Sequence, residues 1–101
     1  MRNDYLIAPF IFIATIANAI STDRQLELRN FLEQDCGSCH GMTLQGGLGT
    51  PLTSQALINK TNDFLKTIIL HGKPNTAMPA WKSLLKEEEV DFIIQLLRRG
   101  K

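Results

Sequence analysis

The only two cysteines of the chain stand three residues apart, and a histidine follows at once: "CGSCH", Cys36 to His40. This spacing constrains the fold more than any other feature. It fits three chemistries: a redox disulfide, part of a zinc site, or covalent attachment of haem. A redox Cys-x-x-Cys belongs beside a βαβ pattern at a helix start, whereas here it follows a helical stretch and no strand pattern flanks it. Zinc needs four ligands, commonly with a second pair at similar spacing, and beyond the motif only His71 remains among the cysteines and histidines. A structural disulfide across so small a loop gains little. Haem fits best: thioether bonds need two sulfurs about one helical turn apart, with the next residue offering its imidazole to the iron. Cys36 and Cys39 are then the anchors and His40 the proximal ligand.

The rest of the chain is consistent with this. Arg2, an apolar run from Tyr5 to Ile16, and Ala17-Asn18-Ala19 have the layout of a secretory signal peptide. Residues 1–19 are read as that leader, leaving one domain at 20–101. The apolar run is too short to cross a bilayer, which takes about 20 residues, so no membrane span is expected after cleavage. The formal charge of +1 gives no bulk attraction to nucleic acid. A domain this small is marginal alone and usually relies on a disulfide, metal or cofactor.

The apolar spacing predicts an all-α class with long loops. A first helix is expected from about Arg24 to Asp35, capped by Ser21, Thr22 or Asp23 and ending where Gly37 appears. "GMTLQGGLGTPLT" reads as loop, with a short helix expected around Gln55 to Asn59. Thr61 or Asn62 caps a helix running from Asp63 to His71, which Gly72 ends. The last helix spans Glu87 to Arg99, with Val90, Ile93, Ile94 and Leu97 at i, i+3, i+4, i+7. The stripes are narrow and the central loops poor in large apolar residues, so a bulky apolar cofactor would fill the middle.

One iron position remains to be assigned. Met42 is too near His40 in the chain to reach the other face. Met78, in the Pro-flanked "NTAMPAW", is the favoured distal ligand, although a Met often serves as a core gap-filler. His/Met ligation raises the reduction potential and suits electron transfer. His71 is the competitor, able to ligate only if Met78 lets go by local opening or by segment exchange between two chains. Lys60, Lys66, Lys73, Lys82 and Lys86 face Asp63 alone between residues 60 and 86. They are either a steering rim or ordinary solvated side chains.

Through "DCGSCHGMTLQGGLGTPLT", "ILHGKPNTAMPAW" and "EEEVDFIIQLL" the segment resembles a class I cytochrome c. It further resembles the small monohaem cytochrome c55X group, which is associated with cytochrome cd1 nitrite reductase. The resemblance implies three to four helices and loops wrapped around one covalent haem c, with Leu52, Leu57 and Trp81 packing on it. It implies that a backbone carbonyl accepts from the proximal histidine. Family members often have Gly-Pro there; here Gly49 is followed by Thr50 and then Pro51, so either carbonyl is a candidate. It also implies that the last helix crosses the first, bringing Phe31 or Leu32 to Ile93, Ile94 or Leu97. Finally, it implies a periplasmic electron carrier without enzyme activity, serving the reductase or the proteins that mature its haem d1, with an accessory cytochrome or tetrapyrrole-binding helper in haem d1 biosynthesis as the alternative. A monomer is expected, with a segment-exchanged dimer as the alternative.

Overall fold

The structure, a computed structural model, describes residues 20–100. The leader read at residues 1–19 lies outside the described residues. Among those described there is no strand, and no helix is long and apolar enough to cross a membrane.

Helix α1 spans Thr22–Phe31, with the Ser21 hydroxyl accepting from the Arg24 N–H at 3.2 Å. It does not end at Asp35 as the sequence predicts. A π-helical turn, Leu32–Cys36, carries it into helix α2, Gly37–His40. Gly37 keeps ordinary helical angles and is buried, because glycine weakens a helix by only about 1 kcal/mol without forcing it to stop. The stop is Gly41, whose φ of 94° is open to glycine but strained for other residues. A π turn fits one more residue into the turn, so the motif is rotated relative to Leu28 and Leu32, which stay buried in the core.

The short helix expected at Gln55–Asn59 is absent. Residues 54–59 form successive turns held by bonds from the Leu57 N–H to the Thr53 carbonyl (3.2 Å) and the Ile58 N–H to the Gln55 carbonyl (3.3 Å). Helix α3 is Asn62–His71, capped by the Thr61 hydroxyl at 3.0 Å from the Phe64 N–H and closed by Gly72 at φ 77°. Helix α4 is Glu87–Arg98, one residue shorter than expected, with three glutamates in its first turn where the helix dipole favours them.

Helix α4 is the centre of the packing. It lies against α3 and crosses α1. Val90, Ile93, Ile94 and Leu97 join Leu28 and Leu32 of the first helical segment and Leu65 and Leu70 of α3 in one buried cluster. Leu32 thus reaches the core expected of it. Phe31 turns instead to Trp81, ring edge to ring face at 4.9 Å.

A charged clamp locks the crossing. Arg24 Nε and Nη2 donate to the Glu89 carboxylate at 2.7 and 3.1 Å, and Arg24 Nη2 also donates to the Leu84 carbonyl at 3.1 Å. Glu89 in turn accepts from the Lys86 N–H at 2.9 Å, satisfying an orphan donor of α4. The Arg24 hydrogen bond, aided by that from Lys86, holds the Glu89 carboxyl below the usual carboxylate value of 4.5. The clamp therefore contributes in full above that value and is lost as pH falls through the lower folded one. Glu89→Ala is expected to reduce the unfolding free energy by about 2 kcal/mol, the range for charge-assisted bonds, measured by urea denaturation at pH 7. Glu89→Gln should flatten the loss of stability on acidification below pH 4.5.

Candidate haem site

A cavity of about 410 Å³ opens between the end of the first helical segment, the 48–57 loop, α3, the Met78 loop and α4. Its walls are mainly apolar. Leu52 and Leu57 come from the loop, Leu65, Ile68 and Ile69 from α3, and Ile93 and Leu97 from α4. Cys36, Cys39, His40, Met78 and Trp81 all border it, so the structure brings together the residues singled out in the sequence. The exception is His71, the last residue of α3, which is exposed and does not border the cavity.

His40 is the best-defined member. Its Nδ1 lies 2.7 Å from the Thr50 carbonyl oxygen. A carbonyl only accepts, so Nδ1 carries the proton and Nε2 keeps its lone pair for a metal. Of the two candidate carbonyls, Thr50 is therefore the one used. The loop is fixed by the Gly49 N–H donating to the Cys39 carbonyl at 2.7 Å and the Gly46 N–H to the His40 carbonyl at 2.8 Å. Gly49 lies flat against the imidazole: a Cβ there would stand 2.7 Å from its ring atoms.

Cys36 and Cys39 are free thiols, both partly buried. Burial, then the charges of Asp35 and Cys39, push the Cys36 thiol up to about 12, so it is a neutral thiol in the unmodified chain. The Met78 segment is held by several bonds. The Lys73 N–H donates to the Met78 carbonyl at 3.2 Å, and the Thr76 hydroxyl receives the Met78 N–H at 3.2 Å while donating to the Lys73 carbonyl at 2.7 Å. The Trp81 N–H donates to the Ile69 carbonyl at 3.0 Å, tying the loop's far end to α3. Gly72 lies so close beneath that a Cβ would come within 2.9 Å of the Met78 carbonyl.

Ile68 and Ile69, which follow Leu65 at i+3 and i+4 on α3, also line the cavity beside Leu52, Leu57 and Trp81, and that spacing is a signal present in the sequence. The role of Gly49 is one that no local pattern reveals.

The volume lies in the range of cofactor pockets, 300–1,000 Å³. Two thiols on one wall, an imidazole with a free nitrogen, a thioether and apolar surfaces suit a flat, mostly apolar iron macrocycle. A helical shell around such a cavity, with Cys-x-x-Cys-His on its wall, is the arrangement of a c-type cytochrome. A family model described as "Cytochrome C oxidase, cbb3-type, subunit III" matches residues 23–97. Cytochrome c55X of Stutzerimonas stutzeri is 43% identical over 90 residues, covering 89% of this chain and 80% of the relative. The solved c-type cytochrome NirC is 43% identical, covers 81% of this chain and 96% of its own, and superposes with a TM-score of 0.79. The structure of dihydro-heme d1 dehydrogenase NirN in complex with DHE matches 69% of this chain with 15% of its own, at 28% identity and a TM-score of 0.65. The chain belongs to the cytochrome c55X family of c-type cytochromes. With that family it shares a single covalent haem c and the role of electron carrier.

Gly49→Ala should push the imbedded His40 ring aside and break the Thr50 bond. The expected outcome is a lowered haem content per chain, read as absorbance per mole of protein after expression with a haem-attachment system.

Proposed function

We propose that this protein is a periplasmic one-electron carrier of the cytochrome cd1 nitrite reductase system. In this reading Cys36 and Cys39 form the thioether bonds, and His40 and Met78 ligate the iron. The observation that carries it is the His40 to Thr50 bond, which aims Nε2 away from the loop in a cavity that Met78 also borders. The bound haem supplies one-electron cycling between ferric and ferrous iron. Thr50 fixes the tautomer and tilt of the imidazole. The hydrogen-bonded loop from Lys73 to Met78 limits the motion of the thioether. Leu52, Leu57, Ile68 and Leu97 exclude water, which favours the less charged ferrous state. If His40 and Met78 both held the iron, no open iron site would remain for substrate chemistry, which favours a carrier over an enzyme. The basic start, apolar run and Ala17-Asn18-Ala19 support export with cleavage after Ala19, yielding a monomeric domain from Ile20.

The charge around the cavity suits an acidic partner. Lys60 and Lys73 border the cavity and are exposed, against Asp35 as the one acidic residue of the lining. Leu48, 93% exposed, and Phe64, 48% exposed, surround the same opening with apolar surface. Lys66 does not belong to this rim, because it pairs with Asp91 at 3.0 Å and lies 3.9 Å from Glu87. A lysine-rimmed apolar edge speeds encounter with a carboxylate-ringed surface and loses that advantage in salt.

A second reading draws on the likeness to dihydro-heme d1 dehydrogenase. A dehydrogenase releases electrons as it oxidises its substrate, and a small one-electron carrier suits as their acceptor during maturation of haem d1.

In the ferric absorption spectrum, the weak far-red band of sulfur-to-iron charge transfer should be present. It should vanish in Met78→Ala and persist in His71→Ala; survival in Met78→Ala would refute ligation by that residue. Stopped-flow electron exchange should be run with cytochrome cd1 nitrite reductase and, separately, with the dehydrogenase and its substrate. Whichever partner is physiological should exchange electrons rapidly, with a rate that falls steeply as salt rises. A flat salt profile would dismiss the role of Lys60 and Lys73.

A further inference from the structure

The guanidinium of Arg98, at the last position of α4, reaches back to the loop side of the cavity. Nη1 donates to the Leu57 carbonyl at 2.6 Å and Nη2 to the Lys60 carbonyl. Nε and Nη2 both donate to Asn62 Oδ1, at 3.1 and 2.9 Å. One planar fork thus gathers three acceptors spread over the turn segment and the start of α3. A lysine ammonium, a single point on a flexible stem, does not reproduce that geometry.

Apart from the packing of Leu57 in the core, the segment's other hydrogen bonds are local. From Thr53 to Lys60 the chain makes only turns, with internal backbone bonds of 3.0 to 3.3 Å. Yet this segment supplies Leu57, which is 2% exposed and borders the cavity. Across the cavity's lining, Ile93 and Leu97 belong to the same helix as Arg98. Arg98 therefore couples one wall of the cavity to another through a rigid element.

We infer that Arg98 is a positioning residue for the haem: by holding the Leu57 and Lys60 carbonyls, it keeps the Leu57 side chain against the cavity and water out. This rests on the reading that the cavity holds the covalent haem. Water near the iron favours the more charged ferric form, so loosening the Leu57 wall should lower the reduction potential.

The test uses the haem-loaded protein. Potentials are measured by spectroelectrochemistry for wild type, Arg98→Gln, Arg98→Lys, Leu57→Ala and the double variant Leu57→Ala/Arg98→Gln. Arg98→Gln should shift the potential downward, and Arg98→Lys should shift it the same way despite keeping the charge. The double variant should match Leu57→Ala alone, because the arginine acts through that side chain. Full additivity in the double variant would mean that Arg98 acts by its charge, overturning the inference. So would a lowered melting temperature with an unchanged potential, which would leave Arg98 as a staple of the fold. If Arg98→Gln does not accumulate, Arg98→Lys decides: an unshifted potential refutes the positioning role. A wild-type spectrum without the far-red band would overturn Met78 ligation alone, since the comparison of potentials needs only the covalent haem.

Discussion

The hydrogen bond between His40 Nδ1 and the Thr50 carbonyl is the contact on which this site depends. It joins the end of the helical segment to the loop that returns along it. The bond needs the loop to lie flat on the ring, and the absence of a side chain at Gly49 allows that. Its consequence is chemical as well as structural: one ring nitrogen is committed as a donor, so the other is left basic. Without this bond the imidazole would choose among tautomers and orientations. The walls from α3 and α4 would then face an imidazole free to turn.

The core and the cavity share their parts. Ile93 and Leu97 belong to the buried cluster that includes Leu28 and Leu32, and both also border the cavity. Strain at one is transmitted to the other, because close-packed interiors relax poorly. The Arg24–Glu89 pair sits at the opening turn of α4 and Arg98 at its end, so polar side chains tie both ends of that helix to distant segments. Such a small domain has few layers to spare, and one helix serves stability and cofactor environment together.

Much of this was legible in the residues. The Cys36–Cys39–His40 spacing is local chemistry, and so is the Pro-flanked setting of Met78. The α3 and α4 boundaries followed from Thr61, Gly72 and the i, i+3, i+4, i+7 stripe, within a residue or so. What escaped depends on contacts made across the fold. Gly37 looks like a helix stop, but its backbone stays helical and the true stop is Gly41. Residues 55–59 carry a helical composition, yet the Leu57 and Lys60 carbonyls accept from Arg98 and the segment stays a series of turns. Lys66 counts as a free positive charge in the sequence and proves to be paired with Asp91 from α4.

The wide turn at Leu32–Cys36 fixes a count rather than a composition. Winding this stretch as a regular helix without removing its extra residue would swing everything beyond it by roughly 100° about the axis, one residue's step at 3.6 per turn. The sulfurs would then face elsewhere while the leucines before them stayed in place. Exchanges of side chain between Leu32 and Cys36 are tolerable wherever packing permits. What must persist is the match between the extra residue and the wide turn that absorbs it, since either one without the other turns the sulfurs away from the cavity.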